Sequence, residues 1–198
     1  MTEIRGVQIP RCVRGFASEV DFFDILIEKE HIAGIKPAQS AMNSGVSQKQ
    51  MLLPAFVDVH LHIDKTFVVD EVGAVEGDLF AAIERMAKHR DGWSAAHIEP
   101  RMQRALSEAY DHGCRALRTH LDWMTKDAPT SLAVFEKLRD QWRGKLILQC
   151  ASITPLDFFD NALDGEDLAL EVAKSHLNCD HKSGEVALLG AFVYRNER

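Results

Sequence analysis

From about residue 50 onward, apolar strand-like runs alternate with helical stretches, and that alternation leaves few folds open. The run Met51 to His62 opens the series, with Pro54 at its start and β-branched residues between Phe56 and His62. Asp78 to Arg90 carries Leu79, Ile83, Met86 and Ala87 at a helical period. A second helix is expected over Ser94 to His112, with Ser94 as N-cap and Gly113 as stop. Cys114 to Leu121 reads as strand, Ser131 to Trp142 as helix, Lys145 to Ser152 as strand, Glu166 to His176 as helix and Glu185 to Val193 as strand. Strands separated by helices pair in parallel through right-handed crossovers. The expected class is therefore α/β, a partial (β/α)8 barrel of about four βα units, since a whole barrel takes about 250 residues. The sequence stops at residue 198, just after the apolar run from Gly190, which leads to the expectation of a truncated barrel.

The first fifty residues have a different pattern. Phe23–Glu28 and Ile32–Ile35 read as a hairpin, and residues 38 to 49 as a polar loop. The expected organisation is a small β-sandwich portion over 1–52, then the first half of the barrel over 53–198. The net charge of -7 offers nothing to neutralise a phosphate backbone, so no nucleic-acid partner is expected. Lys88-His89-Arg90 is too short a basic stretch to change that and reads as a solvated face. Met1 to Arg5 lacks the apolar core of a signal peptide, and no apolar run approaches the ~20 residues that cross a bilayer. Cys12, Cys114, Cys150 and Cys179 lie far apart, with no C-x-x-C pair. The chain reads as a reduced cytoplasmic protein with no membrane partner, and its open strand edges are compatible with a homo-oligomer.

The segment Phe56-Val57-Asp58-Val59-His60-Leu61-His62 carries the chemistry. In a strand, alternate residues share a face. Phe56, Asp58, His60 and His62 point one way, while Val57, Val59 and Leu61 point the other, towards covering helices. Two imidazoles at i, i+2 reach one ion at about 2.0–2.1 Å each. The carboxyl end of a barrel strand is where such enzymes place their chemistry. Spacing alone leaves zinc, iron, copper and nickel open. His31, His89, His97, His112, His176 and His181 sit among charged or polar neighbours and read as surface groups. Trp93, Trp123 and Trp142 read as packing anchors, with Trp123 also placed to wall a pocket.

The run PAFVDVHLHIDKTF resembles the P-G-F-V-[DE]-x-H-x-H-x-D-K signature that opens the barrel of the amidohydrolase superfamily. Its Asp64-Lys65 continuation is similar to the cytosine deaminase-like branch, with cytosine deaminases and N-isopropylammelide isopropylaminohydrolases. Ala55 departs from the usual glycine or proline. Arg118-Thr119-His120-Leu121-Asp122, Leu148-Gln149-Cys150-Ala151 and Leu188-Leu189-Gly190-Ala191 resemble that branch's second, third and fourth strands. The resemblance implies one divalent ion, zinc or iron, on His60 and His62. Gln149, His120, Asp64 and Lys65 become candidate substrate-binding residues for a small nitrogen heterocycle. Asp64 and Lys65 are free to pair with each other, as are Arg118 and Asp122. The implied activity is hydrolysis of a C–N bond.

The resemblance also implies what these 198 residues omit. The family's further metal ligands and general acid/base lie on later strands, so no catalytic proton carrier is assigned here and the isolated chain is expected to have little activity. Two alternatives stay open. One is a non-catalytic remnant or pseudoenzyme. The other is a cyclic amide hydrolase like dihydroorotases and hydantoinases, whose fourth strand supplies a bridging lysine. Glu185–Val193 contains no lysine, which favours a single-ion, deaminase-like site.

Overall fold

The computed structural model describes residues 1–38, 50–74 and 76–193. The chain divides into two compact units, Met1–Ala55 and Phe56–Arg198. Most of the expected polar loop over 38–49, and the last five residues of the chain, lie outside the described residues.

In the first unit, β1 (Thr2–Gln8), β2 (Phe22–Glu28) and β3 (His31–Pro37) form one antiparallel sheet in the order β1-β2-β3. Alternation buries Phe23 and Ile25 on one face, with Val7 and Ile9 packed beside them. Lys29 and Glu30, the two residues linking β2 to β3, both have positive φ. That is the backbone a two-residue hairpin needs to match strand twist. The register of β1 against β2 slips between Ile4 and Val7, where Gly6 adopts φ +64° and donates its N–H to the Asp24 carboxylate at 2.8 Å. The described residues of this unit form a single sheet; the sandwich expectation would need a second layer.

The second unit is the expected parallel α/β arrangement. β4 (Phe56–Leu61), β5 (Cys114–Asp122), β6 (Ile147–Pro155) and β7 (Ala187–Leu188) pair in sequence order, and β8 (Ala191–Phe192) pairs with β6. A short helix α1 (Val69–Val72), then α2 (Leu79–Arg90) and α3 (Ala95–Asp111), connect β4 to β5. α4 (Thr130–Trp142) connects β5 to β6, and a 3-10 turn (Leu156–Asp160) with α5 (Ala162–Leu177) follows β6. Ser94 caps α3 by accepting the His97 N–H at 3.3 Å, and Gly113 ends the helical segment at φ +86°.

The core lies between one face of the sheet and the helices. Leu117, Leu121, Leu148 and Cys150 from the strands meet Met102, Leu106, Phe135, Leu138 and Leu168 from α3, α4 and α5. Each such buried side chain contributes about 1.5–3 kcal/mol relative to exposure. The alternate residues, Arg118, His120 and Asp122 on β5 and Gln149 and Ile153 on β6, take the opposite, interior face.

Two expectations change here. Val57 and Val59 are exposed at 63% and 64%, because among the described residues no helix covers that side of β4. The expected strand over Glu185–Val193 is broken into β7 and β8. Ser152 Oγ donates to the Gly190 carbonyl at 3.0 Å and accepts the Gly190 N–H at 2.9 Å, replacing ladder bonds at that residue. A Cβ on Gly190 would stand 2.4 Å from the Ser152 carbonyl oxygen, so only glycine fits this approach.

Candidate metal and substrate site

β4 brings Asp58 and His60 onto the interior face, and His62 follows directly after the strand. The His60 and His62 ring centroids are 5.2 Å apart and nearly perpendicular. His120, from β5, stacks on His60 at 4.0 Å and lies 5.8 Å from His62. Three imidazoles thus gather at the carboxyl ends of two neighbouring parallel strands. Ile63 N donates to the buried Thr119 hydroxyl at 3.2 Å, tying the turn after β4 to β5.

The tautomer of His62 is fixed by its partner. Its Nδ1 lies 2.9 Å from the main-chain oxygen of His120. A carbonyl only accepts, so Nδ1 carries the hydrogen and Nε2 keeps its lone pair. A metal-ligating histidine has this form, with the other ring nitrogen donating to an anchoring oxygen. Burial, and then the Lys65 charge, hold the His62 ring below its ordinary value of 6.5. Burial does the same for His120, with His60 and His62 adding to it. Neutral imidazoles are what a cation requires. The chemistry of these donors suits a divalent ion.

Beside His62 opens a cleft of about 930 Å³. Lys65, Arg90 and Asp122 are among its polar lining. Asp122 is buried, and its two oxygens accept from Lys65 Nζ and Arg90 Nη1. Both cations are thus taken up by Asp122, and the further carboxylates of Asp157 and Asp160 also line the cleft. α2, which carries Arg90, also presents Leu79, Ile83 and Met86 to the cleft, and no residue of that helix is fully buried. The apolar stripe that would ordinarily face a core faces the cleft instead. An apolar wall with a few convergent polar groups suits a small organic ligand.

The candidate residues divide. Lys65 lines the cleft but pairs with Asp122 rather than with Asp64. His120 joins the histidine pair. Gln149 shares the interior face, yet its oxygen accepts from Arg118 Nε and Nη2 at 2.9 and 2.7 Å, and its amide donates to the Gly184 carbonyl at 2.7 Å. Arg118 is therefore spent on Gln149, and the Arg118–Asp122 pairing does not form. Asp64 is fully buried, outside the cleft lining, because the turn after β4 folds it beneath the surface. The reading of Lys88-His89-Arg90 as a solvated face misses Arg90, whose partner lies 32 residues away. Trp123 packs in the core.

Both Asp64 oxygens are buried without a hydrogen-bond partner among the described residues. Burial pushes this carboxyl up from 3.8 to about 7, against the pull of Lys65. A folded value above the unfolded one gives stability that is complete below 3.8 and lost as pH rises through about 7. The loss amounts to about 4 kcal/mol. Urea unfolding with a chelator present should show Asp64→Asn flattening this slope between pH 5 and pH 8. A variant less stable than the parent at pH 8 would mean that the carboxylate is ionised and paired.

No protein-family model matches the sequence. A pterin deaminase from Rhizobium rhizogenes (strain K84 / ATCC BAA-868) is 35% identical over 139 residues, covering 68% of this chain and 31% of that enzyme. The structure of 5-methylcytosine deaminase from Klebsiella pneumoniae with phosphonocytosine superposes with a TM-score of 0.67 at 20% identity, over 94% of this chain and 43% of that one. N-isopropylammelide isopropylaminohydrolase from Burkholderia multivorans ATCC 17616 superposes with a TM-score of 0.52 at 19% identity, over 100% of this chain and 54% of that one. The chain thus spans about a third of the pterin deaminase and about half of the solved structures. At these identities the solved structures speak for the fold, and the pterin deaminase for the sequence. The resemblance carried by the strand that opens the barrel therefore holds: in sequence and in fold the chain is similar to the deaminase-like branch of the amidohydrolase superfamily, over the share of those enzymes that it spans.

Proposed function

We propose that the protein is a metal-dependent hydrolase that cleaves a C–N bond of a small nitrogen heterocycle, in the manner of a deaminase. The observation that carries this reading is the His62 tautomer: Nδ1 is tied to a carbonyl, Nε2 keeps its lone pair, and the His60 ring stands 5.2 Å away. His60 and His62 would hold one divalent ion, zinc or iron. When bound, such an ion supplies Lewis acidity towards water and the substrate carbon. His120 and Lys65 are proposed to contact the heterocycle, with the apolar stripe of α2 against its ring. Gln149 would serve only by exchanging Arg118 for substrate, and Asp64 is given a structural role.

The remaining elements belong to the same proposal. Asp122 is held by Lys65 and Arg90, so it does not serve as proton carrier. That role is assigned to no residue among 1–198, and little turnover is proposed for these residues alone. The working setting is proposed to be cytoplasmic, with a small-molecule partner, no nucleic acid or membrane, and homo-oligomers as the assembly. Among the described residues, no helix is long and apolar enough to cross a membrane.

The test is a screen of the full-length, metal-loaded protein against pterin, cytosine, 5-methylcytosine and N-isopropylammelide for released ammonia or amine. Release is expected with at least one of these, lost to a chelator and restored by zinc or iron. Metal binding without any release would favour the non-catalytic remnant.

A further inference from the structure

A second cluster of imidazoles lies where α1, α2 and α3 meet, away from the cleft. Glu71 Oε2 stands 3.0 Å from His89 Nε2 and 2.8 Å from His97 Nε2. The three atoms lie within 4.8 Å of one another, a spacing that a cation would accept. The far sides of the two rings argue otherwise. Trp93 Nε1 donates to His89 Nδ1 at 3.0 Å, and Arg101 Nη1 donates to His97 Nδ1 at 3.1 Å. Indole and guanidinium nitrogens donate and never accept. Each imidazole then accepts at Nδ1 and carries its hydrogen on Nε2, donating to Glu71; for His97, Arg101 Nη1 also lies 3.4 Å from Nε2, and the shorter Nδ1 contact sets this tautomer. The lone pair that a metal would need is not there. His62 has the opposite arrangement.

These contacts close into a circuit. The Arg101 guanidinium lies over the Trp93 ring, 4.2 Å from its centroid, so Trp93, His89, Glu71, His97 and Arg101 are linked end to end. Two donors on one carboxylate, His97 first and then His89, hold the Glu71 carboxyl below its ordinary value of 4.5. Arg101 also donates to two main-chain oxygens, from Nη1 to that of His97 at 3.2 Å and from Nε to that of Asp64 at 2.5 Å. Asp64 sits two residues after His62, in a turn closed by Lys65 N donating to the His62 carbonyl at 3.1 Å. The circuit thus begins at Glu71 and returns to the same loop at Asp64.

We propose that Glu71, His97 and Arg101 are positioning residues for His62. They clamp the loop from His62 to Glu71 from both ends, and so set how tightly the site holds its ion. The inference rests on the reading of His60 and His62 as the metal pair. Loss of a partner bonded directly to a ligating histidine typically costs about 10–100-fold in metal affinity, which sets the ceiling for residues that act through Asp64.

The test is zinc affinity by chelator competition on the full-length protein, with the fold of each variant checked by its thermal transition. Glu71→Ala is expected to weaken zinc binding by up to about 10-fold, the lower end of the range for a directly bonded partner, at unchanged stoichiometry. Both bonds fall on one oxygen, so Glu71→Gln keeps an acceptor and should restore most of the affinity. Side-chain nitrogen NMR should show the Nε2–H tautomer at His89 and His97 and the Nδ1–H tautomer at His62. Unchanged affinity in Glu71→Ala overturns the inference alone. So does a second bound zinc that Glu71→Ala abolishes, because the trio would then itself be a metal site. A parent protein that binds no zinc overturns both this inference and the metal reading beneath it.

Discussion

Replacing His60 and His62 together by alanine is expected to strip the divalent ion from the protein and to remove turnover with it. Loss of a mere outer partner costs about 10–100-fold in metal affinity, so removing two ligands should exceed about 1,000-fold. His62 should account for the larger share. Its ring is oriented in advance by the His120 carbonyl, whereas His60 is exposed and its ring stands against those of His62 and His120. The check is metal content by elemental analysis, beside heterocycle turnover, for the parent, both single variants and the double variant. A control substitution at His31, which is exposed on the first unit, should leave both unchanged. Metal retained by the double variant at the parent stoichiometry would reject these ligands. Acid should act in the same direction. Because burial holds His62 below its ordinary value, protons displace the ion only at a lower pH than for a solvent-exposed imidazole.

The fold was legible wherever local rules decide it. The α3 cap at Ser94 and stop at Gly113, the period of α2 and the strand runs of β5 and β6 depend on residues within a few positions of one another. The facing of His60 and His62 follows from strand periodicity alone. What was not legible depends on partners far apart in the chain. Asp64 next to Lys65 reads as two pocket residues free to pair with each other. Only the tertiary turn shows that Lys65 reaches Asp122, 57 residues on, while Asp64 is buried. Gln149 has the right address on β6, but a neighbour across the sheet consumes its amide. His89 and His97 looked like surface histidines because Glu71 lies 18 and 26 residues before them. A signal was nonetheless present. His89 with Trp93, and His97 with Arg101, are each spaced i, i+4, the separation at which side chains on successive helical turns meet.

Glu185→Ala is expected to be the most destabilising single change, by about 3–5 kcal/mol, the usual result of breaking a buried ion pair from one side. The Glu185 side chain is 2% exposed and that of Arg139 is 3% exposed, with Arg139 Nε 3.5 Å from Glu185 Oε2. Arg143 adds a bond at 3.1 Å, and the Asp180 N–H another at 2.9 Å. Burial alone would push the Glu185 carboxyl up; Arg143, the Asp180 N–H and Arg139 more than reverse this, and the group ends below its ordinary 4.5. Its contribution is therefore complete above that value and is lost as pH falls through the lower folded one. Alanine would leave the buried Arg139 guanidinium with the Asn178 carbonyl and the Cys179 sulfur, each at 3.3 Å, and the exposed Asp140 carboxylate at 3.9 Å. That cluster joins α4 to the end of α5 and to the approach of β7, so its loss should loosen the last strands laid beside β6. Denaturant unfolding at neutral pH measures the effect. Arg143→Ala is the comparison: it removes a half-exposed partner, for which a loss of about 1 kcal/mol is expected. Equal losses for the two variants would show that the Arg139 charge is solvated after all, and that the cluster contributes no more than an ordinary surface pair.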